Sequence, residues 1–218
     1  MPKRERTIKV AGLALSRPVA FVFAIIYLLQ SAAIFYLMTE KYENEKLIHY
    51  QQSRIEQLEE KLKILDIIED FQIGMRPSEV GKLANVVYTE SKKYGYDPLL
   101  LLALIQVESS FKKGEVSHMG AMGLMQVKPS IGSDVANRRG IDWNNRSLLF
   151  EPDYNVELGS LYLFELVMRF GDVKKAITAY NIGPTRLQRI QNMQKTPPKV
   201  YLAKVLKKYK ELKEEYDT

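Results

Sequence analysis

Residues 18–38, PVAFVFAIIYLLQSAAIFYLM, contain no Asp, Glu, Lys or Arg. At 1.5 Å per residue, about 20 helical residues cover the roughly 30 Å hydrocarbon core of a bilayer, so this run predicts a membrane-spanning helix. Tyr27, Gln30, Ser31 and Tyr36 are tolerable within it. Lys3, Arg4, Arg6, Lys9 and Arg17 precede the run, and Glu40, Glu43 and Glu45 follow it among Lys41 and Lys46. The positive-inside rule then keeps residues 1–17 in the cytoplasm and sends the bulk of the chain across. A cleaved signal peptide would have a shorter apolar region followed by a small-x-small site, and FYLMTEKYE offers none. The run is read as an uncleaved signal anchor.

Residues 39–76 form the next segment, polar with a sparse apolar stripe. Ile48, Ile55 and Leu62 recur every seven residues, with Leu58 and Leu65 three residues after the last two. These short heptads suit either a single amphipathic stalk or a dimeric coiled coil, and a homodimer through the stalk is the partner they would supply. Ile67, Ile68 and Phe71 break the repeat, as if the helix begins to pack on something else. Gly74-Met75-Arg76-Pro77 is punctuation, and the outer domain is placed at 77–218.

That domain reads as nearly all helical. Ser78 is expected to cap a helix running to Tyr94, and Asp97-Pro98 opens a second that reaches Ser109. Pro129 begins another, to about Arg138. A long helix starts near Asp153 and stops at Gly171; Asp172 caps the next, which ends before Gly183-Pro184. A short helix to about Met193 and a terminal one over 199–215 complete the set. No stretch shows convincing strand alternation, and no repeat is present.

The formal charge of +6 suggests an anionic partner, but it divides between the basic N-terminus and a C-terminal helix where lysines alternate with acids. Topology and a solvated helix face account for it, and nucleic-acid binding is not expected. The absence of cysteine excludes disulfides, thiolate metal sites and a cysteine nucleophile. His49 and His118 make no ligand cluster, and residues 120–123 lack the Lys-Ser/Thr of a phosphate loop, so neither a metal nor a cofactor is expected.

Within the second predicted helix, LLLALIQVESSF carries a single carboxylate, Glu108, at the end of an apolar run. Burial would raise its pKa and keep a proton on it near neutrality, as a general acid requires. On the helix alone, a solvated terminal glutamate is the simpler account. Three further stretches bear on the choice. GAMGLMQV at 120–127 and AYNIGP at 179–184 follow ESSF at 108–111, and Tyr201 with Val205 lies on the last helix.

This ordered set resembles the catalytic domain of the soluble lytic transglycosylase family, lysozyme-like proteins that cleave bacterial peptidoglycan, over roughly residues 78–209. The resemblance implies a mainly α, lysozyme-like fold and makes Glu108 the catalytic acid. Glu108 would protonate the glycosidic oxygen between N-acetylmuramic acid and N-acetylglucosamine, then take a proton from the muramyl 6-hydroxyl, which closes a 1,6-anhydro ring. Glycosidases that use water need two carboxylates; no second one stands in a motif here, which suits attack from within the substrate.

The resemblance also implies substrate-binding roles for Ser117, Met122, Gln126, Tyr180, Asn181 and Tyr201. It sets the Tyr180 hydroxyl beside the acid, ahead of Tyr201. Packing in the core is the ordinary use of a methionine, and a hydrogen bond that braces the loop is as natural a use of Gln126. Ile182 departs from the alanine or glycine common in the family. The implied partner is the glycan strand of peptidoglycan, and the implied location is the bacterial cytoplasmic membrane with the catalytic domain in the periplasm or outside. A non-catalytic wall-binding scaffold and a lysozyme-type hydrolase of the same bond are the alternative readings.

Overall fold

A computed structural model describes residues 7–10 and 13–216. The chain divides into two compact units, Met1–Gln57 and Leu58–Thr218. In the first, strands β1 (Thr7–Val10) and β2 (Leu13–Ser16) pair antiparallel in the register Thr7↔Ser16 to Val10↔Leu13. This pair is an exception to the all-helical expectation, because strands of four residues are too short to display an alternation. Helix α1 (Arg17–Phe71) follows and passes the division between the units. Among the described residues it is the one helix long and apolar enough to cross a membrane, and Phe21, Leu28, Leu29, Phe35 and Leu37 lie exposed on it.

The second unit contains the end of α1 and seven further helices among the described residues: α2 (Pro77–Tyr94), α3 (Pro98–Ser109), α4 (Pro129–Arg139), α5 (Pro152–Phe170), α6 (Val173–Ile182), α7 (Pro184–Asn192) and α8 (Val200–Tyr216). Ile64, Ile67 and Ile68 on the last turns of α1 are buried in the same core as Val80, Leu83 and Val87 of α2. The break in the heptads thus coincides with entry into that core. Phe71 stacks on Phe111, ring centroids 6.0 Å apart.

Local chemistry explains most helix boundaries. Asp97 accepts from the Leu99 amide at 2.9 Å, and Asp172 from the Lys175 amide at 2.7 Å, each satisfying a first-turn donor. Gly95, Gly140 and Gly171 close α2, α4 and α5 in the left-handed conformation. The start of α2 differs from expectation. Pro77 takes the first helical position, so Arg76 rather than Ser78 is the cap, and Glu79 Oε2 accepts the Arg76 amide at 2.8 Å.

At the centre stands α3, whose Leu101, Leu102, Ala103, Leu104 and Ile105 are all buried. A helix apolar on every face needs neighbours on every face. Its closest is α8, while α5 packs on α2 and α6. Two tyrosines tie α8 to opposite ends of α3: Tyr209 donates to Asp97 Oδ2 at 2.5 Å, and Tyr201 donates to Glu108 Oε1.

Candidate active site

Glu108 lies in the last turn of α3, where the helix leaves the core. Past it the backbone turns sharply: Ser110 (φ 52°) and Phe111 (φ 59°) both occupy the left-handed region, which side chains other than glycine seldom adopt. Burial of the Phe111 ring holds this turn in place. Two depressions meet at the carboxylate. One, of about 230 Å³, is walled by Ser117, Ala121, Gln126, Tyr162 and Tyr180, and the other, of about 380 Å³, by Val107, Pro198, Val200, Tyr201 and Lys204. Glu108 and Asn181 belong to both, so the two depressions adjoin at the acid and are treated together as one groove. Among the described residues, no other carboxylate lines either part.

The electrostatics suit an acid. Desolvation by the surrounding protein pushes the Glu108 carboxyl up to about 7, and the hydrogen bond from Tyr201, which favours the ionised form, opposes that rise. Both protonation states are thereby accessible near neutrality, as a group that first donates and then accepts a proton needs. Burial, and then the adjacent Glu108 charge and hydrogen bond, hold the Tyr201 hydroxyl far above its usual value, so it acts as a fixed neutral donor.

The hydrogen bond to the acid comes from the tyrosine expected second. The hydroxyl bonded to the acid is that of Tyr201; Tyr180, half-buried in the groove wall, donates to the carbonyl of Met125 at 2.8 Å, and burial and then the nearby Glu108 charge raise its own pKa. Its ring lies 5.4 Å from that of Tyr162. Ser117 lines the groove with its Oγ accepting the Ala121 amide at 3.0 Å, which leaves its hydroxyl hydrogen to donate. Gln126 also lines it, but its Nε2 donates to the Glu115 and Gly123 carbonyls at 3.1 and 2.9 Å. Its amide nitrogen therefore braces the loop while the oxygen stays uncommitted to those bonds. Asn181 is exposed on the wall common to both depressions. Met122 is absent from the walls: its side chain is buried in the core, while its backbone pairs with Val127 at 3.0 Å in both directions.

A model of the transglycosylase SLT domain matches residues 85–203, over half of the chain. The chain belongs to this family. The membrane-bound lytic murein transglycosylase C of Cronobacter sakazakii is 38% identical over 146 residues, covering 60% of this chain and 40% of that protein. The protein of the same name from Serratia proteamaculans is 34% identical over 154 residues, 64% of this chain and 43% of its own length. The chain thus spans about two fifths of the curated relatives it matches. Among solved structures, an inactive mutant of the lytic transglycosylase Slt from Pseudomonas aeruginosa superposes with a TM-score of 0.55 at 24% identity, over 61% of this chain and 24% of that one. The fold is accordingly mainly α and lysozyme-like.

The structure adds residues to the SLT domain site that the sequence reading passed over. Asn155, wholly buried on α5, accepts the Met125 amide at 2.7 Å and donates to the Met122 and Leu149 carbonyls at 2.9 and 2.8 Å. It clips the 120–127 loop to the body of the domain. Its one signal is a polar residue inside an apolar helical face. Glu79 reaches the loop after Glu108 by accepting from Lys113 Nζ at 2.6 Å. Lys113 and Arg76, with the Arg76 amide, hold the Glu79 carboxyl down to about 2.

Proposed function

We propose that this chain is a membrane-anchored lytic transglycosylase that cleaves the β-1,4 bond between N-acetylmuramic acid and N-acetylglucosamine in peptidoglycan and leaves 1,6-anhydro ends. The single observation that supports it most is Glu108: one carboxylate, raised to about 7, at the meeting point of two depressions that contain no other among the described residues. Protonated, it donates to the glycosidic oxygen and breaks the bond. As carboxylate, with Tyr201 as donor, it accepts the proton of the muramyl 6-hydroxyl as that oxygen attacks the anomeric carbon. The 2-acetamido group shares the positive charge that develops there. Ser117, Gln126 and Asn181 offer hydrogen bonds to the sugars, and family membership and the names of the relatives favour this chemistry.

The same reading assigns residues 1–17 to the cytoplasm, 18–38 to a single-pass anchor in the bacterial inner membrane, 39–76 to a stalk and 77–218 to a catalytic domain in the periplasm or outside. Exposed Ile48 and Ile55 would let the stalk pair with a second copy. The deciding experiment incubates the detergent-solubilised full chain with purified sacculi and weighs the released muropeptides. Fragments one water lighter than reducing ends support the reading. Reducing ends alone make the protein a lysozyme-type hydrolase; sacculus binding with no release makes it a scaffold. Full activity in Glu108→Gln removes the proposed acid.

A further inference from the structure

We propose that Lys128 and Lys204 bind carboxylates carried by the glycan on either side of Glu108, so that the groove selects anionic strands over uncharged ones; this rests on the transglycosylase reading. The two lysines line different depressions, each of which also contains Glu108. Lys128 stands beside Ser117 and Gln126, and Lys204 one turn after Tyr201 on α8. Both are exposed, and neither forms an ion pair among the described residues. The contrast along α8 is informative. Lys207 and Lys208 pair with Glu211, Lys210 with Glu214 and Lys213 with Asp97, while Lys204, which lines the groove with Glu108, forms no ion pair among the described residues.

Lys128 is placed against the interest of its own helix. It is the residue before Pro129 at the start of α4, where a cation meets the positive end of the helix dipole and an acceptor side chain would cap. Its side chain makes no capping bond. Among the described residues the same walls hold no carboxylate except Glu108, whose charge is largely suppressed below about 7. Each of the two depressions that share the acid therefore carries one lysine and net positive charge while Glu108 is protonated. The proposed substrate carries acids along the strand. Every second sugar bears at O3 either a free lactyl carboxylate, where the peptide has been removed, or the carboxylates of a stem peptide.

The test measures kcat/KM of the detergent-solubilised full chain on peptide-bearing strands, on strands stripped by an amidase, and on each after amidation of its carboxylates. The wild-type chain is expected to prefer an anionic strand over its amidated counterpart by about tenfold, less as salt rises. Lys128→Gln and Lys204→Gln should each reduce that preference roughly threefold through KM, and the double variant should abolish it. Lys128→Arg with Lys204→Arg should retain it, and so should Lys207→Gln. A preference confined to stripped strands assigns the lactyl carboxylate as the ligand, and one confined to peptide-bearing strands assigns the stem. A wild-type chain that does not discriminate, or a double variant that still does, overturns the proposal. Pelleting of the Glu108→Gln chain with the same four strands reads the ratio without turnover. A collapse of that binding ratio supports the lysines even if no strand is cut, whereas anhydro products with no charge preference overturn the lysine assignment alone.

Discussion

Tyr201 on α8 donates its hydroxyl to Glu108 at the end of α3, across 93 residues of chain. At the other end of α3, Tyr209 does the same for Asp97, whose second oxygen caps the helix. The two helices are thus pinned antiparallel at both ends. The position of the acid is fixed by a pair of tyrosines eight residues apart on a single helix.

Tyr201→Phe removes a donor that favours the ionised acid. The Glu108 carboxyl should then rise further above about 7, moving the alkaline limb of the pH–rate profile upward. The base half of the proposed reaction also loses a positioned donor, so kcat should fall about tenfold, the lower end of what a hydrogen bond to a charged group contributes. Tyr180→Phe should leave that limb close to its wild-type position, because its hydroxyl serves Met125 instead. It should cost about 1 kcal/mol of stability by leaving a carbonyl unpaired. A limb that moves with Tyr180 and not with Tyr201 would reverse the assignment.

Glu108 should also make stability depend on pH. Its folded pKa, about 7, lies above the unfolded value of 4.5, so the folded chain holds this proton more tightly. The contribution is fully present below 4.5 and is lost as pH rises through 7. Glu108→Gln, which never ionises, should be close to wild type in stability at pH 4 and more stable at pH 8, by at most about 3 kcal/mol. Thermal melts of both chains at the two pH values measure the difference. An equal gap at both would mean that the carboxyl is not desolvated.

The boundaries that could be read ahead of the structure are those set within three or four residues. Asp97-Pro98 and Asp172 carry their own capping chemistry, Pro129 has the backbone angle of a first helical residue, and the helices begin there. Ser78 misled because Pro77 and Glu79 together shift the cap to Arg76, an outcome of competing local signals. What the sequence withheld was tertiary. The loss of heptads at Ile67 and Ile68 showed that α1 finds a partner, but α2 is identifiable only in three dimensions. Tyr180 and Tyr201 are both aromatic residues on helical faces. Which hydroxyl meets the acid depends on how α6 and α8 approach α3, and no spacing encodes that.

Gly123 shows the limit that packing puts on the 120–127 loop. Its φ is +76°, and a Cβ there would lie 2.1 Å from the Leu149 carbonyl oxygen and 2.4 Å from Asn155 Nδ2. Neither neighbour can yield, because Asn155 holds that same carbonyl. Gly123→Ala should destabilise by about 3 kcal/mol or more, from strain at the backbone together with loss of the Asn155 bonds. Gly120→Ala, with φ of +74° and open space around it, should cost only about 1 kcal/mol. Urea titration of the two variants side by side separates contact from conformation; equal costs would refute the close approach.

Glu79 is the carboxylate whose loss should be felt at a distance. Its side chain is 8% exposed and accepts Lys113 Nζ at 2.6 Å, and Lys113 sits two residues before Glu115, whose carbonyl receives the Gly123 amide and Gln126 Nε2. Its folded pKa, about 2, lies below the unfolded 4.5, so its contribution is present above 4.5 and fades as pH falls toward 2. Glu79→Gln keeps the shape and removes the charge. It should lower stability at pH 7 by about 1–3 kcal/mol, the cost of weakening charge-assisted hydrogen bonds at a buried group, and the gap should narrow at pH 3. Because the change loosens the wall that presents Ser117 and Gln126, KM for glycan should rise while the alkaline limb set by Glu108 stays in place. Urea titrations at pH 7 and pH 3, paired with kcat and KM, test both halves. A constant stability gap would dismiss the ion pair, and a shifted limb would mean that Glu79 acts on the acid itself.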